Sequence, residues 1–546
     1  MRTEMDANNR PVINLTWKGK NINLLKVILS ILFFSVALAL YAYKKWNDAY
    51  LWQRAVLFFG AGIFFYLVRP ASELHKVKMK QLAKPHKMIC LFVMCVTCLT
   101  AFLTMRLSDW WTDKGPDYQF QYEAMTEAVL NGHLYLDLKV SPELAAMENP
   151  YDSVKRSEDQ VSYYWDHAFY NGHYYMYFGV VPVFLLFIPF KLLGITLYSY
   201  QATQIFVVFI IMGMFAVFRE ITKRMCPKMP LSGYLAVSVA TSWITVWYAV
   251  KYPALYCTAN SSGVCMAVWG FYFCYRAFVI DTQQRRSMLH GVVGALLSAL
   301  TFGCRPTIGL SCIILIPLLV FYLRRCESIK DFGKTFLAFC VPFAVVAVLL
   351  MLYNYARFEN PFEFGQSYQL TIVDQHAYQS NHFKLDRCLS GLLYHFFGYE
   401  DVSNVFPYIH QDGNFVLFPI LLIGLRSLFL TGERKRGSLM VKGLAPMMIL
   451  SVVLISSYHV TWAPVVFRRY AMDFNFLLGF LVMFGVCSLY WNAKDPARVS
   501  FVLTLLAVYT VVICFLLLFV DFDYSIATHQ PELLEKARNL VIFWKK

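Results

Sequence analysis

The sequence predicts an all-α integral membrane protein, and three observations predict it. The 546-residue chain is 58% hydrophobic and 17% aromatic, with a mean hydropathy of +0.48, above the roughly half-apolar usage of soluble domains. Its apolar residues gather into long runs, such as 24–43, 88–105 and 499–520, each near the roughly 20 residues that a bilayer crossing needs. The runs are continuous instead of alternating. That suits helices and not barrel strands, because lipid offers a backbone amide no partner outside its own segment.

Fourteen apolar segments follow along the chain, near 24–43, 54–68, 88–105, 178–196, 201–218, 231–250, 262–280, 288–303, 306–323, 335–355, 414–430, 443–462, 472–490 and 499–520. About 13 of them are expected to cross fully. The exception is 178–196, where Pro182, Pro189 and Lys191 favour a bent, tilted or interfacial run. It and 201–218 are read together as one net crossing.

Charge sets the orientation. A net charge of +15 would suit nucleic acid, but the lysines and arginines lie in short loops between spans, so the positive-inside bias explains them and no nucleic-acid partner is expected. Arg69, Lys76, Lys78, Lys80, Lys84 and Lys87 fall in one such loop; Arg434, Lys435, Arg436 and Lys442 fall in another. By contrast 107–177 holds 12 acidic and 4 basic residues and 356–413 holds 7 and 3, together 19 of the 34 carboxylates. These loops should face outward and the N-terminus should be cytoplasmic. The first apolar run has no clear small-residue cleavage site after it and reads as an uncleaved anchor. Most of the 14 cysteines sit in apolar runs, with no disulfide framework or zinc spacing visible. The resulting organisation is a tail with three helices (1–106), an acidic aromatic loop (107–177), a helical block (178–355), a second outer loop (356–413), the last helices (414–520) and a tail (521–546).

The first outer loop carries two local elements. Asp117 precedes Tyr118, Tyr122, Met125 and Val129, a stripe at helical spacing that stops at Asn131–Gly132, so a short amphipathic helix is predicted, with Asp117 as its cap or as a reacting carboxylate. Glu123 and Glu127 share a face of that helix and read first as a solvated surface. Further on, Asn171–Gly172 divides two aromatic runs and predicts a tight hairpin. It would display Asp166, His167, His173, Tyr174 and Tyr175 at the membrane surface, to stack on a sugar or to anchor at headgroups. The sequence holds no GxxxxGK[ST] loop, no GxGxxG after a strand and no GxSxG elbow, so a nucleotide-driven pump or a soluble-type hydrolase is unsupported.

Lys251, Arg305, Arg468 and Arg469 fall near the outer ends of spans, where cationic residues are least expected. Snorkelling or pairing with Asp473 would explain each one. A phosphate beside the outer leaflet would explain all four, with Arg468 and Arg469 as the preferred clamp. Carboxylates, aromatics and guanidiniums in one outward cavity suit group transfer from a lipid phosphate, with a carboxylate as base and cations on the leaving group.

At this point the chain resembles the GT-C superfamily of polytopic glycosyltransferases, and within it bacterial members related to the protein mannosyltransferase and aminoarabinose transferase group. The resemblance rests on Asp117 to Tyr122 with Gly132 to Asp137, on Asp166 to Tyr177, on Gly303 to Pro306, on Asn354 to Phe362 and on Phe467 to Tyr470. It implies a polyprenyl phosphate-linked sugar donor, a cell-envelope glycan, lipid or protein acceptor, a bacterial plasma-membrane location, and an essential outer-loop acid that serves as base or as ligand to a divalent metal. Asp117 is the closest positional match, but relatives often carry two adjacent acids there and this chain does not, so Asp117, Asp137 and Asp166 all stand as candidates. The rival is a transporter or flippase of a lipid-linked sugar or another solute. It is disfavoured by the scarcity of central charges beyond Lys191 and by the absence of an evident internal repeat.

Overall fold

The computed structural model describes the chain except residues 1, 6–10, 18–19, 47–50, 70, 108–119, 327, 376–384, 400–401, 430–434, 463–466, 521–525 and 543–546. The protein is an all-α membrane protein. Among the described residues ten helices are long and apolar enough to cross a membrane, and four shorter apolar stretches, Val27–Tyr41, Leu51–Tyr66, Val183–Leu192 and Pro419–Leu428, accompany them. Together they occupy the fourteen apolar positions of the sequence.

The N-terminus opens with three short antiparallel strands, β1 (Arg2–Met5), β2 (Pro11–Trp17) and β3 (Lys20–Asn23), which the apolar pattern did not signal. Helices α1 (Leu24–Trp46), α2 (Leu51–Val68) and α3 (Lys84–Thr104) follow. The first loop contains α4 (Gln121–Leu130), with Tyr122 and Met125 buried as its stripe requires. It also contains the hairpin of β4 (Ala168–Tyr170) and β5 (His173–Tyr175). Asn171 and Gly172 both take positive φ, 47° and 76°, the backbone that a two-residue hairpin turn needs and that asparagine and glycine tolerate best.

The bundle then runs through α5 (Ser199–Met225), α6 (Leu231–Lys251), α7 (Leu255–Tyr275), α8 (Gln284–Cys304), the helical run α9 (Pro306–Leu323) and α10 (Ile329–Phe358). After the second loop and its amphipathic α11 (Leu385–Phe397) come α12 (Lys435–Trp462), α13 (Phe467–Trp491) and α14 (Pro496–Leu517), and α15 (Pro531–Val541) follows them. The apolar windows of α13 and α6 are 94% and 89% buried, against 17% for α3 and 22% for α10. The first pair therefore forms the protein core. The second pair presents its leucines, valines and phenylalanines outward, as helices facing acyl chains do.

Side-chain contacts sort the connecting segments to two ends. At one end the basic loop after α2 packs on the α5–α6 turn: His75 Nδ1 lies 2.7 Å from Ser232 Oγ, and the Met79 amide donates to the Met229 carbonyl at 2.9 Å. At the other end the acidic loops meet Ser199, Tyr256 and Arg305. Segment 178–196 has both ends there, since the Phe178 ring lies 5.5 Å from that of Tyr256 while the Lys191 ammonium reaches Glu127 and Ser199 reaches Glu123. A π-turn at Val183–Phe187 and a short helix at Ile188–Leu192 fill the segment. The segment is bent and does not carry the chain to the opposite end, in keeping with its prolines.

Candidate functional site

The two acidic loops are tied into one structure beside the helix ends. The Asp166 amide donates to the Leu370 carbonyl at 3.0 Å, the Leu370 amide to the His167 carbonyl at 2.9 Å, and the Phe169 amide to the Tyr368 carbonyl at 2.9 Å. Residues 368–370 thus pair with β4 through one isolated antiparallel bridge, Ala168 opposite Gln369. Buried Arg156 strengthens the tie, its Nη2 donating to the Thr371 carbonyl at 2.5 Å.

This pairing turns Asp166 inward. Its φ is +56°, a left-handed conformation that costs a non-glycine residue on the order of 1 kcal/mol and that tertiary contacts must hold. Tyr256, in the first turn of α7, donates its hydroxyl to Oδ2, and Gln369 Nε2 donates to Oδ1 at 2.8 Å. Asp166 lines a cavity of about 340 Å³, within the usual range of small-molecule sites. The cavity lies between the paired loops and the ends of α7, α8, α10, α12 and α13.

The cationic wall comes from Arg305, Arg469 and, on α10, Arg357. Arg305 separates α8 from α9. It precedes Pro306, whose ring disfavours helical backbone at the residue before it, and its φ of −158° and ψ of 106° are extended. Its Nε donates to Asp473 Oδ2 at 2.7 Å. The Arg469 guanidinium carbon sits 4.2 Å from the Tyr256 ring centroid and 5.1 Å from that of Tyr470, an arrangement that holds a cation by the ring quadrupole. Tyr256 is therefore shared: its hydroxyl serves Asp166 and its face serves Arg469. Asn354, Gln366 and Gln369 add polar groups to the wall, and Phe302, Leu350 and Ile372 add an apolar side.

Burial raises the proton affinity of Asp166 above the ordinary carboxylate range, while Tyr256, Arg469 and Gln369 act in the opposite direction. A carboxylate so placed is a better base than an exposed one. His167 behaves differently: burial lowers its pKa to about 4, and its Nδ1 lies 2.8 Å from the Trp165 carbonyl, so the ring is neutral and donates to that carbonyl.

The remaining sequence candidates that the structure describes do not line the cavity. Asp117 lies outside the described residues. Asp137 is exposed and 3.3 Å from His133 Nε2. His173 stacks on Tyr135 with centroids 4.3 Å apart, Tyr174 is buried beneath the hairpin, and Tyr175 packs on Phe358 at 5.2 Å. Arg468 is buried and lines no part of the cavity. Lys251 donates to the Val520 carbonyl at 2.9 Å. The partner of Asp473 is Arg305, not Arg468 or Arg469. Sequence reasoning missed Tyr256, Gln369 and His459, and named Asp473 only as a pairing partner for the arginines. Asp473 was visible as an ionisable residue inside an apolar run; the three missed residues gave no comparable signal.

Among the described residues no three His, Cys, Asp or Glu side chains converge as metal ligands do. Asp117, the acid that the resemblance links most closely to a metal, is not among them. Comparison with protein-family models finds no match for the chain, and comparison with characterised proteins finds none either.

Proposed function

We propose that the protein is a GT-C-type membrane glycosyltransferase. It transfers a sugar from a polyprenyl phosphate-linked donor to a cell-envelope acceptor on the outer face of a bacterial plasma membrane. One observation carries this reading: Asp166 and Arg469 line the same cavity and share Tyr256 between them. Transfer to an acceptor hydroxyl needs a base on one side of the anomeric carbon and positive charge on the other. In the reaction the acceptor oxygen bonds to the anomeric carbon and its proton passes to Asp166. The bond from that carbon to the phosphate oxygen breaks, and polyprenyl phosphate leaves with its charge held by Arg469 and the terminal nitrogens of Arg305.

The topology that fits is thirteen crossings with the N-terminus cytoplasmic and segment 178–196 re-entrant. Asp117, at the loop's entry to α4, remains a second acid for the site or for a divalent metal. The buried contact of Asp473 with Arg305 and His459 favours one other reading, a transporter of a lipid-linked sugar, since ionisable groups inside membrane bundles often mark transport routes.

Purified protein in detergent, given radiolabelled polyprenyl phosphate sugars and membrane extract, decides between them. Transfer is expected from the wild type, with large losses in Asp166→Asn and Arg469→Ala. Asp117→Asn reports whether the second acid takes part. Equal transfer by wild type, Asp166→Asn and Arg469→Ala would remove the reading, and substrate movement across proteoliposomes without transfer would favour the transporter.

A further inference from the structure

We infer that Asp473 is a positioning residue: it fixes the Arg305 guanidinium by one edge so that the other edge serves as a phosphate-binding surface. The inference rests on the phosphate role given above to the cavity's arginines.

Asp473 is wholly buried in α13, six residues beyond its start at Phe467. A carboxylate at that depth costs several kcal/mol unless its oxygens are satisfied, and here four donors satisfy them. Asn260 Nδ2 on α7 donates to Oδ1 at 2.5 Å. Arg305 Nε and Thr307 Oγ1, both at 2.7 Å, and His459 Nε2 on α12, at 2.8 Å, meet Oδ2. The His459 ring lies flat against that of Tyr470, with centroids 4.3 Å apart and planes 1° apart. One carboxylate thus joins α7, the α8–α9 break, α12 and α13.

The choice of donor atom matters. An arginine that meets a carboxylate only to neutralise it commonly presents two parallel N–H groups in a fork. Arg305 spends its Nε on Asp473, and its guanidinium lines the cavity beside Arg469. Arg305 sits at the extended break before Pro306, where its side chain has, besides Asp473, the Tyr470 ring 5.5 Å from its guanidinium carbon. Without Asp473 the side chain keeps only that ring contact, which does not fix the direction of its N–H groups. Losing that carboxylate also adds positive charge to the site, which by itself would tighten anion binding. Positioning and charge therefore predict opposite signs, which makes the inference testable.

The test is a double-mutant cycle on the full-length protein in detergent, measuring binding of undecaprenyl phosphate and, in parallel, inorganic phosphate. Asp473→Asn is expected to weaken binding about tenfold, the scale at which supporting residues act on the groups they orient. In an Arg305→Ala background the same change is expected to have no further effect. Inorganic phosphate separates a headgroup site from a free-anion site, and the coupling is expected for whichever ligand binds. Equal or tighter binding by Asp473→Asn, or losses that simply add, overturns the inference. If Asp473→Asn does not fold, Arg305→Lys carries the test. A single ammonium will be taken by Asp473, so binding should fall as far as in Arg305→Ala, and wild-type binding by that variant overturns the inference. Wild-type binding by both Arg305→Ala and Arg469→Ala would instead remove the phosphate reading itself.

Discussion

Gln369 reaches across 203 positions of sequence to donate its Nε2 hydrogen to Asp166 Oδ1 at 2.8 Å. The second acidic loop therefore completes the polar environment of a carboxylate that belongs to the first. Gln369→Leu leaves that oxygen without its donor, a loss of about 1–3 kcal/mol for a buried acceptor. The side chain keeps its bulk, so the fold should persist while transfer falls roughly tenfold. Asp166→Asn should cost more, about 10²- to 10⁴-fold, the usual contribution of a positioned base. Rates of the proposed transfer by the two variants check the order, and a Gln369→Leu variant slower than Asp166→Asn would contradict it.

Protonation of Asp166 gives the pH dependence its sign. Burial raises the folded-state pKa above that of an ordinary carboxylate, and only the ionised form accepts a proton. Transfer should therefore be full at neutral and alkaline pH and should fall on acidification, with a midpoint above the ordinary carboxylate range. Gln369→Leu removes a donor that favours the anion, so its acid limb should move further toward neutrality. An initial-rate profile that stays flat down to the ordinary aspartate range would exclude Asp166 as the base.

Much of this arrangement was legible because the bilayer permits few backbone solutions. The apolar runs gave the helices, Asn171–Gly172 gave the hairpin, and Pro182 and Pro189 marked the bent segment. Asp166, Arg305 and Arg469 were each visible as an outer-loop acid or an outward cation. Their grouping was not, because it depends on contacts such as Asp166 with Tyr256, 90 positions apart, and Arg305 with Asp473, 168 apart. The choice between Arg468 and Arg469 was also hidden: neighbours on a helix point about 100° apart, and only the packing of α13 shows that Arg469 faces the cavity.

Glu123 has a structural role that its helical position disguised. Its Oε1 accepts the Ser199 amide at 2.7 Å and the Ser199 hydroxyl at 3.2 Å, so it caps the first turn of α5, where backbone amides lack helical partners. Burial nevertheless raises its pKa to about 7. A carboxyl whose pKa is raised by folding gives stability that is complete below its unfolded pKa and is lost as pH rises through the folded value. Thermal stability should therefore decline between about pH 4.5 and 7 by roughly 1–3 kcal/mol from this group. Glu123→Gln keeps an acceptor for the Ser199 amide but cannot ionise, so its melting curve should lose that slope. A wild-type melting temperature that climbs across the window, with Glu123→Gln unchanged relative to wild type, would refute the assignment.

Gly179 joins the hairpin to the cationic wall through the closest backbone approach in the site. A Cβ added there would meet the Cys304 carbonyl oxygen at 2.2 Å and that of Gly303 at 2.3 Å. Both are backbone atoms, so no side-chain rotation can relieve the clash. Either the strand leaving the hairpin lifts away from α8 or the end of α8 moves, and Arg305 is the next residue after Cys304. Gly179→Ala should thus destabilise the protein by about 1–3 kcal/mol, as overpacking does, and should weaken phosphate binding through the displaced Arg305 more than a pure stability loss explains. Melting temperature and undecaprenyl phosphate affinity, measured on the same preparation, separate the two effects. A stable Gly179→Ala protein with wild-type affinity would show that the contact between segment 178–180 and α8 is looser than the geometry requires.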